Sequence, residues 1–162
     1  MGYEPEVWHD LYVMLGGASA ALAGLVFVGL SMHARAVAAD PLHRMRGRNL
    51  TAGIIYITLV SGLLLIPGQS TKLLGAELLA GGFLIGGLFA QPLVRFRGRL
   101  DRELTVRTIL AITACVLSAV AGISLIARSG GGLYLLVPAT ILGVVMNVFG
   151  AWSLLLGLAR DS

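Results

Sequence analysis

The side chains of this sequence that are able to do chemistry are few, and most are set in apolar surroundings. Asn147 lies near the middle of the last apolar run. A carboxamide in hydrocarbon must find a hydrogen-bond partner, and interhelical bonds of this kind contribute about 0.6 to 2 kcal/mol. It has two uses: lining a pathway or coordinating a solute, or bonding a neighbouring helix in a packed bundle. Gly143 and Ala151, one turn either side, suit the second use because they let another helix close onto the amide. Glu77 falls about one turn inside the third apolar segment, with Lys72 five residues before it. Arg128, His9 and Asp10 belong to the same end of the chain's hairpins. Together they form either an ion-attracting vestibule or proton relay, or a set of interfacial residues that snorkel to water. Glu77 with His9 is the single catalytic option, a lipid-modifying site at an interface. His33 and Gln91 are similarly interfacial at the opposite end.

Other chemistries are excluded by what is missing. Cys115 is the lone cysteine, so it makes no internal disulfide or multi-thiolate metal site and reads as a small packing residue. His9 and His33 sit at opposite ends of one segment and cannot pair as axial haem ligands. No phosphate loop, HExxH, GxSxG or DxD-type carboxylate pair occurs. The expectation is a protein that is not an enzyme and carries no metal and no cofactor.

The elements that hold these residues are five apolar segments, approximately Leu11–Met32, Leu50–Pro67, Leu73–Val94, Thr108–Ala127 and Tyr134–Leu158. The second and fourth are extended by helix from about 41 and 100. A bilayer's hydrocarbon, roughly 30 Å thick, is crossed by about 20 such residues. With 57% hydrophobic and 12% charged residues in 162 positions, five spans use up most of the chain. The expected fold is all-α, a single integral membrane domain over residues 1–162.

Ten of the twelve Lys/Arg residues lie on one side of these segments. Arg35, Arg44, Arg46 and Arg48 fill the first connection; Arg95, Arg97, Arg99, Arg102 and Arg107 fill the third; Arg160 is near the end. Short loops rich in Lys/Arg stay in the cytoplasm, which sets the N-terminus outside and the C-terminus inside. The net charge of +4 flanks the spans instead of forming a separate basic patch with aromatics, so the partners expected are anionic lipid headgroups at Arg44, Arg46, Arg48, Arg95, Arg97 and Arg99, not nucleic acid. The first segment is a retained anchor and not a signal peptide. Glu4, Glu6 and Asp10 make its flank acidic, and its apolar run is too long. Tyr3, Trp8 and Tyr12 are placed as interfacial anchors.

Local signals mark the helix ends. Asp40-Pro41 reads as an N-cap followed by Pro at the first helical position. Pro67-Gly68 stops the second helix, and the tight link to Lys72 predicts an antiparallel hairpin of the second and third. The third is predicted to end near Gln91-Pro92. Arg97/Asp101, Arg99/Glu103 and Glu103/Arg107 are spaced i,i+4, which suits a helical extension into the fourth. The first and third helices resemble each other in glycine content, direction and terminal arginines, as duplicated hairpins or as any two hairpins of like orientation would.

The 22 glycines carry most of the packing information, because helices in lipid associate through close backbone approach. Gly16, Ala20 and Gly24 form one stripe, flanked by Gly17 and Ala21. Gly82, Gly86 and Ala90 form a second; Ala114, Ser118 and Gly122 a third; Ala139, Gly143, Asn147 and Ala151 a fourth. The second helix lacks such a face and instead carries Thr51, Thr58 and Ser61, which are able to bond their own i−4 carbonyls. The stripes serve either a subunit interface or packing within one bundle. A homo-oligomer through the Gly82/Gly86/Ala90 or Gly16/Ala20/Gly24 stripe is expected.

Trp8-His9-Asp10, the run Leu15-Gly16-Gly17-Ala18-Ser19-Ala20-Ala21-Leu22-Ala23-Gly24-Leu25-Val26-Phe27-Val28-Gly29-Leu30-Ser31, and Pro67-Gly68-Gln69 resemble a group of small bacterial membrane proteins with no assigned function. The resemblance implies a multi-pass protein of the bacterial cytoplasmic membrane and carries over no activity or site. The functional expectation is a non-catalytic packing or accessory subunit of a membrane assembly, with an oligomeric ion channel or small-solute transporter as the alternative.

Overall fold

The computed structural model describes residues 2–95 and 102–160, and the side chains of these except at 103 and 158–160. Arg97, Arg99 and the pairs Arg97/Asp101, Arg99/Glu103 and Glu103/Arg107 lie outside the described residues and side chains. A 3-10 turn, Pro5–Trp8, leads into α1 (His9–Met32), α2 (Ala34–Ala39), α3 (Pro41–Leu64), α4 (Thr71–Arg95), α5 (Arg102–Ala127) and α6 (Leu133–Arg160). Five of these helices, all but α2, are long and apolar enough to cross a membrane, and no strand occurs among the described residues.

Four local details depart from the sequence reading or extend it. The first is α2, a six-residue helix inserted where a plain connection was expected. It ends at Asp40, whose extended backbone and side chain start α3: the carboxylate accepts from the Leu42 amide at 2.8 Å. The second is Pro92, which does not end its helix; α4 runs on to Arg95. A proline leaves the carbonyl four residues back without its donor, but this ring is under 2% exposed and wedged into the bundle, so packing holds the helical path. The third is Ser61. Thr51 and Thr58 donate to the carbonyls of Gly47 and Ile54 at 3.0 and 3.1 Å. Ser61 makes no such bond; it is buried against Gly16, and its Oγ has no partner. The fourth is α3 itself, which does have close-approach positions: Gly53 lies against Asn147 and Phe89.

The helices alternate in direction. The starts of α3 and α5 lie with the ends of α1, α4 and α6 at one end of the bundle, the basic end. Arg48 Nη2 donates to Gln91 Oε1 at 2.8 Å, linking α3 to α4, and Arg107 Nη1 donates to Ser153 Oγ, linking α5 to α6. At the opposite, N-terminal end, the Leu133 amide donates to the Gly2 carbonyl at 2.7 Å and the Gly131 amide to the Tyr3 hydroxyl at 3.1 Å. Trp8 meets Tyr134 edge-to-face with ring centres 4.8 Å apart. The Gly130–Gly132 turn permits this: all three have positive φ, and a Cβ on Gly132 would lie 2.2 Å from the Gly2 carbonyl oxygen.

The α3–α4 link is tight, but the principal neighbour of α4 is α5. A Cβ built on Gly75 would lie 2.6 Å from the Gly122 carbonyl, one on Gly122 2.5 Å from the Gly75 carbonyl, and one on Gly82 2.8 Å from the Cys115 carbonyl. Only glycine lets the two backbones meet at these distances. The Gly82/Gly86 face is therefore filled by α5 of the same chain, which corrects its assignment to a subunit contact. Gly16 is likewise filled by Ser61 of α3, whereas Ala20 and Gly24 are exposed and a Cβ on Gly24 would meet nothing within 4 Å.

Between the helices the two ends differ. The N-terminal end is solid: Tyr12, Leu15, Val60, Leu64, Leu74, Leu78, Ala121, Leu125, Leu133 and Leu136 form one core, most of them fully buried. Towards the basic end Val26, Leu50, Ile54, Ala151 and Leu154 make a smaller cluster to one side. Beside it the bundle is hollow.

Candidate functional site: a chamber at the basic end

The hollow is a partly open cavity of about 480 Å³ bounded by α3, α4, α5 and α6. Its floor is the apolar core, reached at Val60, Ser118 and Ala139; its basic-end wall carries Arg46, Asn49 and Arg107. Trp152 and Leu156, both exposed, form part of its rim on α6. This volume lies within the range of small-molecule sites, which are mostly apolar with a few placed polar groups.

Local sequence explains the hollow. On the α3 wall, Gly53 presents no side chain, so the Asn147 amide of α6 fits against it; a Cβ there would lie 2.7 Å from Asn147 Oδ1 and 3.1 Å from Nδ2. On the α6 wall Ala139, Gly143 and Gly150 are small, and on α5 so are Ala111, Ala114 and Cys115. Pro92 and Phe89 close the α4 side.

The polar groups around the chamber differ in how they are satisfied. Tyr56 and Ser118 share a hydrogen bond of 2.7 Å between their hydroxyls. Thr140 bonds its own helix, donating towards the Leu136 and Val137 carbonyls. Arg107 donates to Ser153, and this pair belongs to the chamber wall. Asn147, by contrast, is 8% exposed and has no hydrogen bond among the described residues. Arg46 Nε is buried without a partner. Leaving a buried guanidinium nitrogen unpaired costs about 1–3 kcal/mol or more, so Arg46 marks where the wall is incomplete. The Asn147 side chain beside Gly53 is a second polar group on the chamber wall without a hydrogen bond among the described residues. Among the described side chains no acidic residue lines the chamber.

The remaining candidate residues lie elsewhere. Glu77 Oε2 accepts from Gln69 Nε2 at 2.6 Å, and His9 Nδ1 lies 3.2 Å from Asp10 Oδ1, both near the N-terminal end. No hydrogen bond or ion pair among the described residues joins these two pairs to one another or to Lys72 and Arg128, both exposed. His33 Nδ1 lies 3.1 Å from the Gly29 carbonyl. Arg44, Arg48 and Arg95 are exposed at the basic end. Ala90 is half-buried on α4, and Gly143 packs against Ile57, 3.1 Å from where its Cβ would be. Among the described residues no three His, Cys, Asp or Glu side chains gather as a metal site.

Of the chamber's functional groups, the sequence singled out Asn147 alone. It placed Arg46 and Arg107 among lipid-facing or flanking cations, and it missed Gly53, Tyr56 and Ser118 as wall residues. A signal was present: Arg46, Gly53, Tyr56 and Val60 recur at helical spacing on one face of α3. No protein-family model, curated protein or solved structure matches this chain.

Proposed function

We propose that this is a non-catalytic, multi-pass protein of a bacterial cytoplasmic membrane, N-terminus outside and C-terminus inside, that takes a small solute into the chamber from the cytoplasmic side, as a carrier does. One observation carries the reading: a cavity of about 480 Å³ begins at the arginine-bearing end and stops at a solid apolar core. The arginine distribution supports that end as cytoplasmic, and the resemblance of the first half supports the bacterial membrane. Anionic headgroups suit the exposed Arg44, Arg48 and Arg95, with Arg97 and Arg99 in the same connection. A closed core beneath a one-ended site favours a carrier over an open channel through one chain, since continuous conduction would need Leu74, Leu78, Leu125 and Leu136 to part.

The test is accessibility. In a Cys115→Ser background, Thr108→Cys, Asn147→Cys and Leu78→Cys are labelled with a membrane-impermeant maleimide. The expected pattern is labelling of the first two in inside-out vesicles, neither in intact cells, and Leu78→Cys in neither. Labelling of the chamber positions from outside, or in neither orientation, would overturn the proposal.

The alternative is an accessory subunit that assembles through small residues. The outward face of α1, where Gly17, Ala20 and Gly24 are exposed and open, favours it. Replacing Gly24 by Ile would then lower the detergent-solubilised mass; an unchanged mass removes this reading.

A further inference from the structure

Within the chamber reading, the wall chemistry narrows the solute. We infer that the chamber takes a small organic anion with an apolar body, its anionic group held at Arg46 and its middle contacted by Asn147. This rests on the proposed function above and adds to it the class of ligand.

Charge comes first. Among the described side chains, the two charged ones on the chamber wall are both arginines, Arg46 and Arg107. Arg46 is half-buried, with its Nε occluded and unpaired. A guanidinium nitrogen buried without an acceptor is costly, and an anion docked on the fork of donors would supply one. A cationic solute would be repelled by Arg46.

Geometry comes second. Asn147 packs against Gly53, and Gly53 is seven residues after Arg46 on α3. Seven residues are two turns, so both positions lie on nearly the same face and roughly 10 Å apart along the helix. Asn147, a buried residue whose side-chain amide makes no hydrogen bond among the described residues, is the second unfilled group. Beyond it lie Ile57, Val60 and Ala139, and the hydroxyls of Tyr56, Ser118 and Thr140 at that depth are already bonded within the wall. The ligand that satisfies this order has a carboxylate or phosphate at one end, a hydrophobic body, and a length that passes Asn147. Size comes third: about 480 Å³ suits one chain or ring system, not a two-chain phospholipid.

The experiment compares three probes of one chain length, decanoate, decanol and decylammonium, by titration calorimetry. The whole protein is held in nanodiscs of zwitterionic phosphatidylcholine, with empty discs subtracted. Decanoate is expected to bind at least tenfold tighter than either of the others. Arg46→Gln should bring decanoate to the level of decanol while leaving decanol unchanged; Arg46→Lys should keep part of the preference. Asn147→Leu should weaken none of the discrimination by charge, because the amide contacts the body of the ligand and not its head. Equal binding of decanoate and decanol, or a preference that survives Arg46→Gln, overturns the inference on anions while leaving a binding chamber. Absence of binding by all three overturns the chamber reading as well. Thermal unfolding of each variant in the same discs shows whether it is folded; the probe comparison within the wild type decides the matter even if Arg46→Gln fails to fold.

Discussion

Gly122→Ala should destabilise the bundle, although in an isolated helix the same change is favourable. Alanine exceeds glycine in helix propensity by about 1 kcal/mol, so a solvent-like environment would give a more stable protein. In this fold the added Cβ would stand 2.5 Å from the Gly75 carbonyl oxygen and 2.9 Å from the Leu79 amide nitrogen. Carbon–oxygen contacts of this type settle at about 3.3 Å, so α4 and α5 must move apart by roughly 0.8 Å. Both obstructing atoms are backbone, which has no rotamer to escape into. The separation would loosen Leu74, Leu78, Ala121 and Leu125, all 0% exposed. Overpacking of this kind costs about 1–3 kcal/mol. Against it stands the propensity gain of about 1 kcal/mol, so the net loss is about 0–2 kcal/mol, and the gap to an alanine that gains propensity without the clash is about 1–3 kcal/mol. Gly24→Ala is the control, because its Cβ meets nothing within 4 Å, and it should be neutral or slightly stabilising. Thermal or SDS unfolding in mixed micelles reads both. If Gly122→Ala is as stable as Gly24→Ala, α4 and α5 do not approach as described and the reasoning is refuted.

Asp40→Ala removes the carboxylate that accepts from Leu42; loss of an N-cap should cost about 0.5–2 kcal/mol, with Asp40→Asn restoring most of it, read by the same unfolding assay. Tyr56→Phe leaves the Ser118 hydroxyl, 2% exposed, without its 2.7 Å partner. A loss of about 0.6–1.5 kcal/mol is expected, and a cycle with Ser118→Ala should be non-additive because the two changes remove one bond. Trp8→Ala removes the edge-to-face contact with Tyr134, worth about 0.5–1.5 kcal/mol beyond area, and should raise hydrogen exchange at the Gly131 and Leu133 amides. A reporter active only when exported should be silent fused to the C-terminus and active fused after Gly68; the reverse pattern contradicts the orientation.

The existence of the long helices was legible in the sequence because the feature that makes them is local. Runs of apolar residues of the length of a bilayer satisfy their own backbone hydrogen bonds only as helices. The start of α3 was legible for the same reason, since Asp40 and Pro41 act on the amides next to them. What tertiary structure decided is which face meets which. Glycine stripes look alike along one helix, and only the assembled bundle assigns Gly82 to Cys115 of the same chain and leaves Gly24 open. Pro92 read as a stop because the sequence shows the lost donor and not the packing around its ring. The chamber is the furthest from the sequence. It is the space left when Gly53, Ala114, Ala139 and Gly143, drawn from three helices, face one another. Asn147 showed itself as a polar residue at depth, but its lack of a partner depends on what α3 omits opposite it. The arginines registered as topology because that effect needs only their side of the membrane, whereas the turning of Arg46 into a cavity is a matter of helix rotation, which packing alone fixes.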